Sequence, residues 1–302
     1  MPVEPGASGG IGLTGAGGML GRCVAAELAA RGIPCVPLAR PAWDFARPNA
    51  FPDLPPGLRA VVNAAAYTRV DDAEADEAAA HTVNADAVGA LARRCRDAGV
   101  PLVHVSTDYV FGGHARSTPY PVDHPVGPAT AYGRSKAAGE AQLAASGADW
   151  LCVRTGWLHA PHGNSFVRTI RGALPQRPKL FVVADQRGRP TGAASLARLL
   201  LDLLDAGARG TFHGTDGGQT SWFGLAQAVA DRYGRKKDVL PSESREFPRP
   251  ARRPAYSVLD LSRTEALLGP RPPWSAALAD TLDALDAADP LPRNAPPAEN
   301  PT

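Results

Sequence analysis

The sequence predicts an α/β fold, a doubly wound parallel sheet with a smaller C-terminal substrate-binding lobe, and three observations predict it. Short β-rich runs alternate with longer helical ones through the first half of the chain, the pattern of a parallel sheet covered on both faces. The strand-like runs are almost continuously apolar, as strands buried on both faces are. Beyond about residue 156 the alternation loosens into helices that enclose loops rich in Arg and Pro.

The first strand is expected at 11–14. A helix over 19–31 follows, because Leu20, Val24 and Leu28 form one stripe at helical spacing. Further strands are expected at 34–40, 60–64, 102–106 and 151–155, separated by helices near 82–98 and 131–145. The later part predicts a strand at 180–183, an amphipathic helix at 193–204, a short strand at 210–214, and helices at 221–233 and 274–286. Residues 11–155, completed by about 178–215, are therefore expected to form the sheet domain. Residues 156–177 and 216–288 would form the lobe. Residues 1–10 and 289–302, rich in Pro and without apolar periodicity, are expected to be disordered tails.

Composition excludes several classes. With 44% hydrophobic residues in 302, the chain can bury a sizeable core. Lys and Arg number 32 against 30 Asp and Glu, which offers no field for nucleic acid or a membrane surface. No apolar run approaches the ~18 residues of a spanning helix. The N-terminus lacks the basic start and apolar core of a secretory signal, so a cytoplasmic protein is expected. Cys23, Cys35, Cys95 and Cys152 occur singly, which predicts reduced core residues. None of the seven histidines forms a His-x-x-x-His pair, so no metal site is expected.

Directly after the first strand comes Thr14-Gly15-Ala16-Gly17-Gly18-Met19-Leu20-Gly21. Glycines at 15, 18 and 21 let the backbone turn tightly, approach a pyrophosphate and pack a helix on a strand, while the helix N-terminus offers N–H groups to phosphates. With a strand before and a helix after, this is a Rossmann dinucleotide fingerprint. At the end of the second strand, where an NAD enzyme carries an acidic residue for the ribose, stands Arg40, which favours a 2′-phosphate and hence NADPH (NADP). Asp44 and Phe45 follow, placed to meet the adenine.

A second constellation is Tyr132-Gly133-Arg134-Ser135-Lys136. Positions four apart share one helix face. A cation beside a phenol would bring its pKa from ~10 toward neutrality and make it a usable proton donor. A buried strand ends at Ser106-Thr107, and Thr107, with Ser106 as the second choice, would hydrogen-bond a reacting carbonyl. These features together predict hydride transfer. The run Arg235-Lys236-Lys237 reads as a solvated loop. Arg252 and Arg253, stiffened by Pro248, Pro250 and Pro254, suit bidentate binding of a diphosphate.

Four blocks carry a resemblance to a known family: the glycine triplet, Asn63-Ala64-Ala65-Ala66-Tyr67-Thr68-x-Val70-Asp71-x-Ala73-Glu74, Ser106 through Phe111, and Tyr132-Gly133-x-Ser135-Lys136-x-x-Gly139-Glu140. It continues through Arg154-Thr155-x-Trp157, Gly163-Asn164-x-Phe166-Val167, Asp185-Gln186-x-Gly188-x-Pro190-Thr191 and Ala251 to Asp260. In this order, over about residues 11 to 287, the chain resembles the dTDP-4-dehydrorhamnose reductases of the extended short-chain dehydrogenase/reductase superfamily. The resemblance implies NADPH-dependent reduction of the C4 ketone of a dTDP-4-keto-6-deoxy-L-sugar, with Thr107, Tyr132 and Lys136 as the catalytic set. It implies that Ala64, Ala65 and Ala66 line the cofactor, and that Val70, Asp108, Tyr109 and Trp157 face the sugar nucleotide. Trp157 would otherwise fill the core between domain and lobe. Cys23 stands where some bacterial members carry a Glu that helps bind magnesium between subunits, so a monomer or weak homodimer is expected. Met19 departs from the common Gln, Tyr67 from a common His, and Ala255-Tyr256 from the usual x-Asn.

The sequence also admits two rival functions. A nucleotide-sugar epimerase or dehydratase of the same fold would retain NAD, against which Arg40 speaks. A non-catalytic regulatory subunit would have no need of an intact Tyr132 and Lys136.

Overall fold

The computed structural model describes residues 9–112 and 116–291. In chain order the strands are β1 (Gly10–Thr14), β2 (Cys35–Leu38), β3 (Leu58–Asn63), β4 (Leu102–Thr107), β5 (Trp150–Thr155) and β6 (Leu158–His159). Then come β7 (Leu180–Val183), β8 (Arg187–Gly188), β9 (Thr191–Gly192), β10 (Gly210–His213), β11 (Thr220–Ser221) and β12 (Val239–Ser242). The helices are α1 (Met19–Ala30), α2 (Asp72–Ala75), α3 (Glu77–His81), α4 (Ala87–Asp97), α5 (Ala131–Ala145), α6 (Phe166–Ala173), α7 (Ala193–Asp205), α8 (Trp222–Asp231), α9 (Ser262–Leu268) and α10 (Trp274–Ala288).

Six strands form one parallel sheet in the order β2-β1-β3-β4-β5-β10. Successive residues serve opposite faces. Val62 and Val103 pack with α1 and α7 through Val24, Leu28, Leu196 and Leu200, whereas Val61 and Leu102 pack with α4 and α5 through Val88, Leu91 and Leu143. That division is why the strands read as continuous apolar runs. The chain leaves β1 for β2 on one side and returns to β3 on the other, so the order reverses beside β1, where open α/β sheets bind ligands. At this edge Thr14 stands level with Leu38 and Asn63, Asn63 with His104, and Thr107 with Thr155.

The lobe has its own core, in which Val167, Ile170, Leu225, Val229, Leu278 and Leu282 meet. Leu180–Val183, expected to complete the large sheet, belongs here instead. It pairs in parallel with β12, and Leu180 and Val182 enter the lobe core. Its partner Val239-Leu240-Pro241-Ser242 is short and contains Pro, a weak strand signal. Completion of the large sheet thus falls to α7 and β10.

Other boundaries also differ. The helix expected at 82–98 opens as a π turn, Thr82–Asp86, before α4, and is preceded by the short α2 and α3. β1 starts at Gly10, inside the expected N-terminal tail, with its amide donated to the Gly57 carbonyl. At the other end Arg171 donates to the Asp289 carbonyl and Leu291 packs on the lobe core. Residues 1–8 and 292–302 lie outside the described residues. Arg235 is no solvated residue: it is buried, pairs with Asp238 at 2.6 Å and donates to the carbonyls of Leu174, Arg177 and Pro178. The four cysteines are free, Cys95 and Cys152 buried and the other two half-buried against the core. Among the described residues no helix is long and apolar enough to cross a membrane.

Candidate active site

The cofactor side is shaped by absent side chains. Gly15 has φ 65°, and a Cβ there would stand 2.7 Å from the Ala64 carbonyl carbon and the Ala65 nitrogen. A Cβ on Gly21 would overlap the Gly15 carbonyl oxygen, so α1 can approach β1 this closely only with glycine there. α1 begins at Gly18 with no side-chain cap and no acidic residue in its first turn. Its unpaired N–H groups and positive dipole end are left to an anion. These residues fit the diphosphate of a dinucleotide. Met19, Leu20 and Ala64 to Ala66 line a cavity of about 550 Å³ above them.

Arg40 is exposed, two residues beyond Leu38 at the same sheet edge, where a ribose phosphate would reach it. Its neighbours are committed elsewhere. Asp44 accepts from the Ala46 amide and from Arg47, each at 3.1 Å, and these, led by the amide, hold its carboxyl below the usual range. Phe45 is buried, its ring 5.3 Å from that of Phe51 in the core beneath β2. It has no edge to present to an adenine. An aromatic after a turn reads alike for a ligand wall and a core plug.

Thr107, Tyr132 and Lys136 line the same cavity. Thr107 ends β4 and caps the 3₁₀ turn Asp108–Phe111, its Oγ1 accepting from the Tyr109 amide at 3.2 Å. Ser106, on the opposite face of the strand, donates to Glu140 at 2.5 Å, and Glu140 pairs with the buried Arg154 at 2.7 Å. That triad ties α5 to β4 and β5 and occupies the Ser106 hydroxyl, whereas Thr107 hydrogen-bonds with Tyr132. Thr130 caps α5 by accepting from Gly133 at 3.0 Å, which orients the first turn carrying Tyr132.

The electrostatics differ from the simple expectation for the phenol. Burial pushes Tyr132 up to about 12, against a hydrogen bond with Thr107 and with help from the Asp108 charge. Lys136 does not offset this, because its Nζ is turned to the Val105 carbonyl at 2.7 Å. Tyr132 is therefore held as the protonated phenol, the form that can donate. Asp108 is buried beside it and raised to about 6 by desolvation, although Ser257 and Thr107 hydrogen-bond to it.

Toward the lobe, Val70, Asp108, Tyr109 and Trp157 wall the cavity. Trp157 has φ 52°, a left-handed conformation unusual for a bulky residue. Its indole stacks on Trp222, centroids 3.5 Å apart and planes 4° from parallel, and the missing Cβ of Gly188 makes room for it. Trp222 in turn donates to Gln186 at 3.1 Å. Sequence reading did not single out Trp222, since an aromatic at the start of an amphipathic helix looks like ordinary core.

Tyr109, Phe166, Gln186 and Trp222 also line a second cavity of about 1120 Å³, so the two cavities share this wall. Arg168, Arg177, Arg245, Arg249, Arg252 and Arg253 stand around it, with the exposed rings of Phe181 and Phe247. Arg252 is exposed, but Arg253 is bound to Asp71 at 2.8 Å. Asp71 lies in one of the resembling blocks, where nothing local announces its distant partner.

The chain that carries this glycine cradle and this Thr–Tyr–Lys cavity is similar along most of its length to known proteins. A family model described as the RmlD substrate binding domain matches residues 10–287. The chain belongs to this family. It is 40% identical to the dTDP-4-dehydrorhamnose reductase of Mycolicibacterium smegmatis over 280 residues, 91% of this chain and 86% of that one. The dTDP-4-keto-6-deoxy-D-glucose reductase of Streptomyces niveus is 39% identical, over 91% of this chain and 97% of its own. Among solved structures, the dTDP-4-dehydrorhamnose reductase of Bacillus anthracis in complex with NADP superposes with a TM-score of 0.84 at 31% identity, covering 91% of this chain and 99% of that one.

Proposed function

We propose that this chain is an NADPH-dependent reductase of the C4 ketone of a dTDP-4-keto-6-deoxy-L-sugar, and that Thr107, Tyr132 and Lys136 carry the reaction. The observation that carries this reading is their convergence on one cavity, between the glycine cradle on one side and the arginine-lined cavity on the other.

Gly15, Gly18, Met19, Leu20 and Ala64 to Ala66 would hold NADPH, with Arg40 on its 2′-phosphate, and bound there it supplies the hydride. Thr107 orients the ketone oxygen by hydrogen bonding. Tyr132, a protonated phenol at rest, delivers a proton to that oxygen as negative charge grows on it. Lys136 in its charged form steadies the phenolate left behind. Asp108, Tyr109 and the Trp157 indole position the sugar, and Arg252 and Arg253 face the diphosphate. Held at both ends, the substrate presents its ketone in one orientation.

Purified protein incubated with NADPH and a panel of dTDP-4-keto-6-deoxyhexoses of both configurations should consume NADPH with the L-sugars and yield the C4 alcohol. NAD carried through purification, or no turnover with any of the panel, would overturn the assignment.

A further inference from the structure

Beneath the cofactor wall, buried side chains connect β1 to α5. Thr14 Oγ1 donates to Asn63 Oδ1 at 2.6 Å, Asn63 Nδ2 lies 2.9 Å from His104 Nδ1, and His104 Nε2 lies 3.3 Å from Lys136 Nζ. None of the four is more than 2% exposed.

The direction of this chain is set at the β3 end. The Ala65 amide, which can only donate, lies 3.2 Å from Asn63 Oδ1 and 3.3 Å from Thr14 Oγ1, so the carboxamide must turn its oxygen that way. Its Nδ2 then faces His104 and donates to Nδ1. Burial holds the imidazole neutral, which leaves its single proton on Nε2, aimed at Lys136. An N–H aimed at an ammonium finds no lone pair, whereas aimed at an amine it makes a hydrogen bond.

We propose that His104 is a positioning residue for Lys136: it presents an N–H rather than a lone pair to Nζ, which destabilises the ammonium relative to the amine in the free enzyme. Burial acts in the same direction and draws Lys136 down to about 8. When Lys136 takes a proton from solvent, its contact with His104 becomes one between two donors. The ammonium keeps its bond to the Val105 carbonyl and loses the one from His104. The inference rests on Lys136 belonging to the catalytic set, and it adds that the residue's charge is governed from behind by β4.

The remaining titratable groups near Lys136 are accounted for. Cys152 of β5 and Glu140, one turn further along α5, both favour the ammonium. Cys152 is held as the thiol by burial, and Glu140 is closed by Arg154 and Ser106. Tyr132, Tyr109 and Asp108 stand on the cavity side.

The test reads tautomer and titration in the free protein, so its outcome is separable from that of the reductase assignment. Nitrogen-15 NMR of histidine-labelled protein, with the His104 signals identified by their loss in His104→Phe, should show the Nε2–H tautomer at neutral pH. The Nδ1–H tautomer or an imidazolium would overturn the proposal. In Asn63→Asp a carboxylate would accept from Thr14, Ala65 and His104 Nδ1–H together. It would turn a lone pair of His104 toward Nζ, so the nitrogen-15 spectrum should change to the Nδ1–H tautomer, and the Lys136 titration followed at its Cε should move up by at least about one pH unit, the new carboxylate charge adding to the effect of the tautomer. His104→Phe should move it upward as well, and the high-pH limb of kcat should follow. An unmoved Lys136 midpoint in the folded Asn63→Asp protein would overturn the proposal even if His104→Phe fails to fold. Normal titration without NADPH consumption by the wild type would instead count against the reductase reading alone.

Discussion

Arg253 of the lobe closes on Asp71 of the sheet domain, Nη2 to Oδ2 at 2.8 Å, and the same carboxylate accepts from the Ala251 amide at 3.2 Å. Arg249 stands 3.5 Å from it. One side chain thus fastens the Pro-rich loop across the mouth of the site. It holds Arg253 in place while leaving Arg252 free.

Replacing Arg252 and Arg253 together by Ala should raise KM for the dTDP-sugar by at least about tenfold and weaken inhibition by dTDP. The NADPH dissociation constant should stay nearly unchanged, because the loop lies beside the second cavity and not the glycine cradle. Asp71→Ala should reproduce part of the effect by loosening the loop. Steady-state kinetics on double variants shown to be folded by circular dichroism would check this. An equal loss of NADPH affinity would remove these arginines from the substrate site.

Arg40 should set the choice of cofactor. Wild type should prefer NADPH over NADH by about ten- to hundredfold in kcat/KM, the worth of one charge pair on the 2′-phosphate. Arg40→Ala should erase most of that preference while sparing NADH. An equal preference in the wild type would leave Arg40 a solvated loop residue.

Tyr132→Phe keeps the ring and its edge contact with Tyr109 and removes the hydroxyl that carries the proton. It should fold, bind NADPH and lose about 10²–10⁴ in kcat. Single-turnover measurements at saturating NADPH would separate this loss from a binding defect, and near wild-type turnover would sink the assignment.

Asp108 predicts a pH-dependent stability of unusual sign. Its carboxyl is raised to about 6 in the folded protein, above the ~3.9 of an unfolded chain. The folded state therefore binds more protons between these values. The stabilisation is fully present below about pH 4 and is lost as pH rises through 6, on the order of 1–3 kcal/mol. Asp108→Asn should be the more stable protein at pH 7 and should lack this component of the pH dependence. Urea denaturation across pH 4 to 7 would show it, and parallel curves for the two proteins would refute the buried-carboxylate account.

What the sequence made legible follows from how local each signal is. Gly15, Gly18 and Gly21, and Tyr132 with Lys136, act within one turn or one helix, so spacing alone places them. The partner of Arg253 lies 182 residues away, and the partner of Trp157 begins a helix of the lobe; no periodicity records such pairs. The core position of Phe45 and the lobe position of Leu180–Val183 are not legible for a related reason. Their apolar pattern reports burial correctly, but which core receives them is decided by strand pairing and loop packing elsewhere. The phenol of Tyr132 was expected to be softened by Lys136, and the opposite holds because burial and the direction of Nζ are properties of the assembled site.

The Trp157–Trp222 stack gives the protein a built-in optical reporter. Two parallel indoles at 3.5 Å couple their electronic transitions, and with their long axes rotated against each other the pair should contribute an exciton couplet to circular dichroism that neither ring produces alone. One ring belongs to the segment leaving β5 and the other to the start of α8, so the couplet measures the seating of the lobe against the sheet edge. Its amplitude during a titration with dTDP would follow that seating without any label, and it would vanish in Trp222→Phe while the remaining tryptophan signals persist.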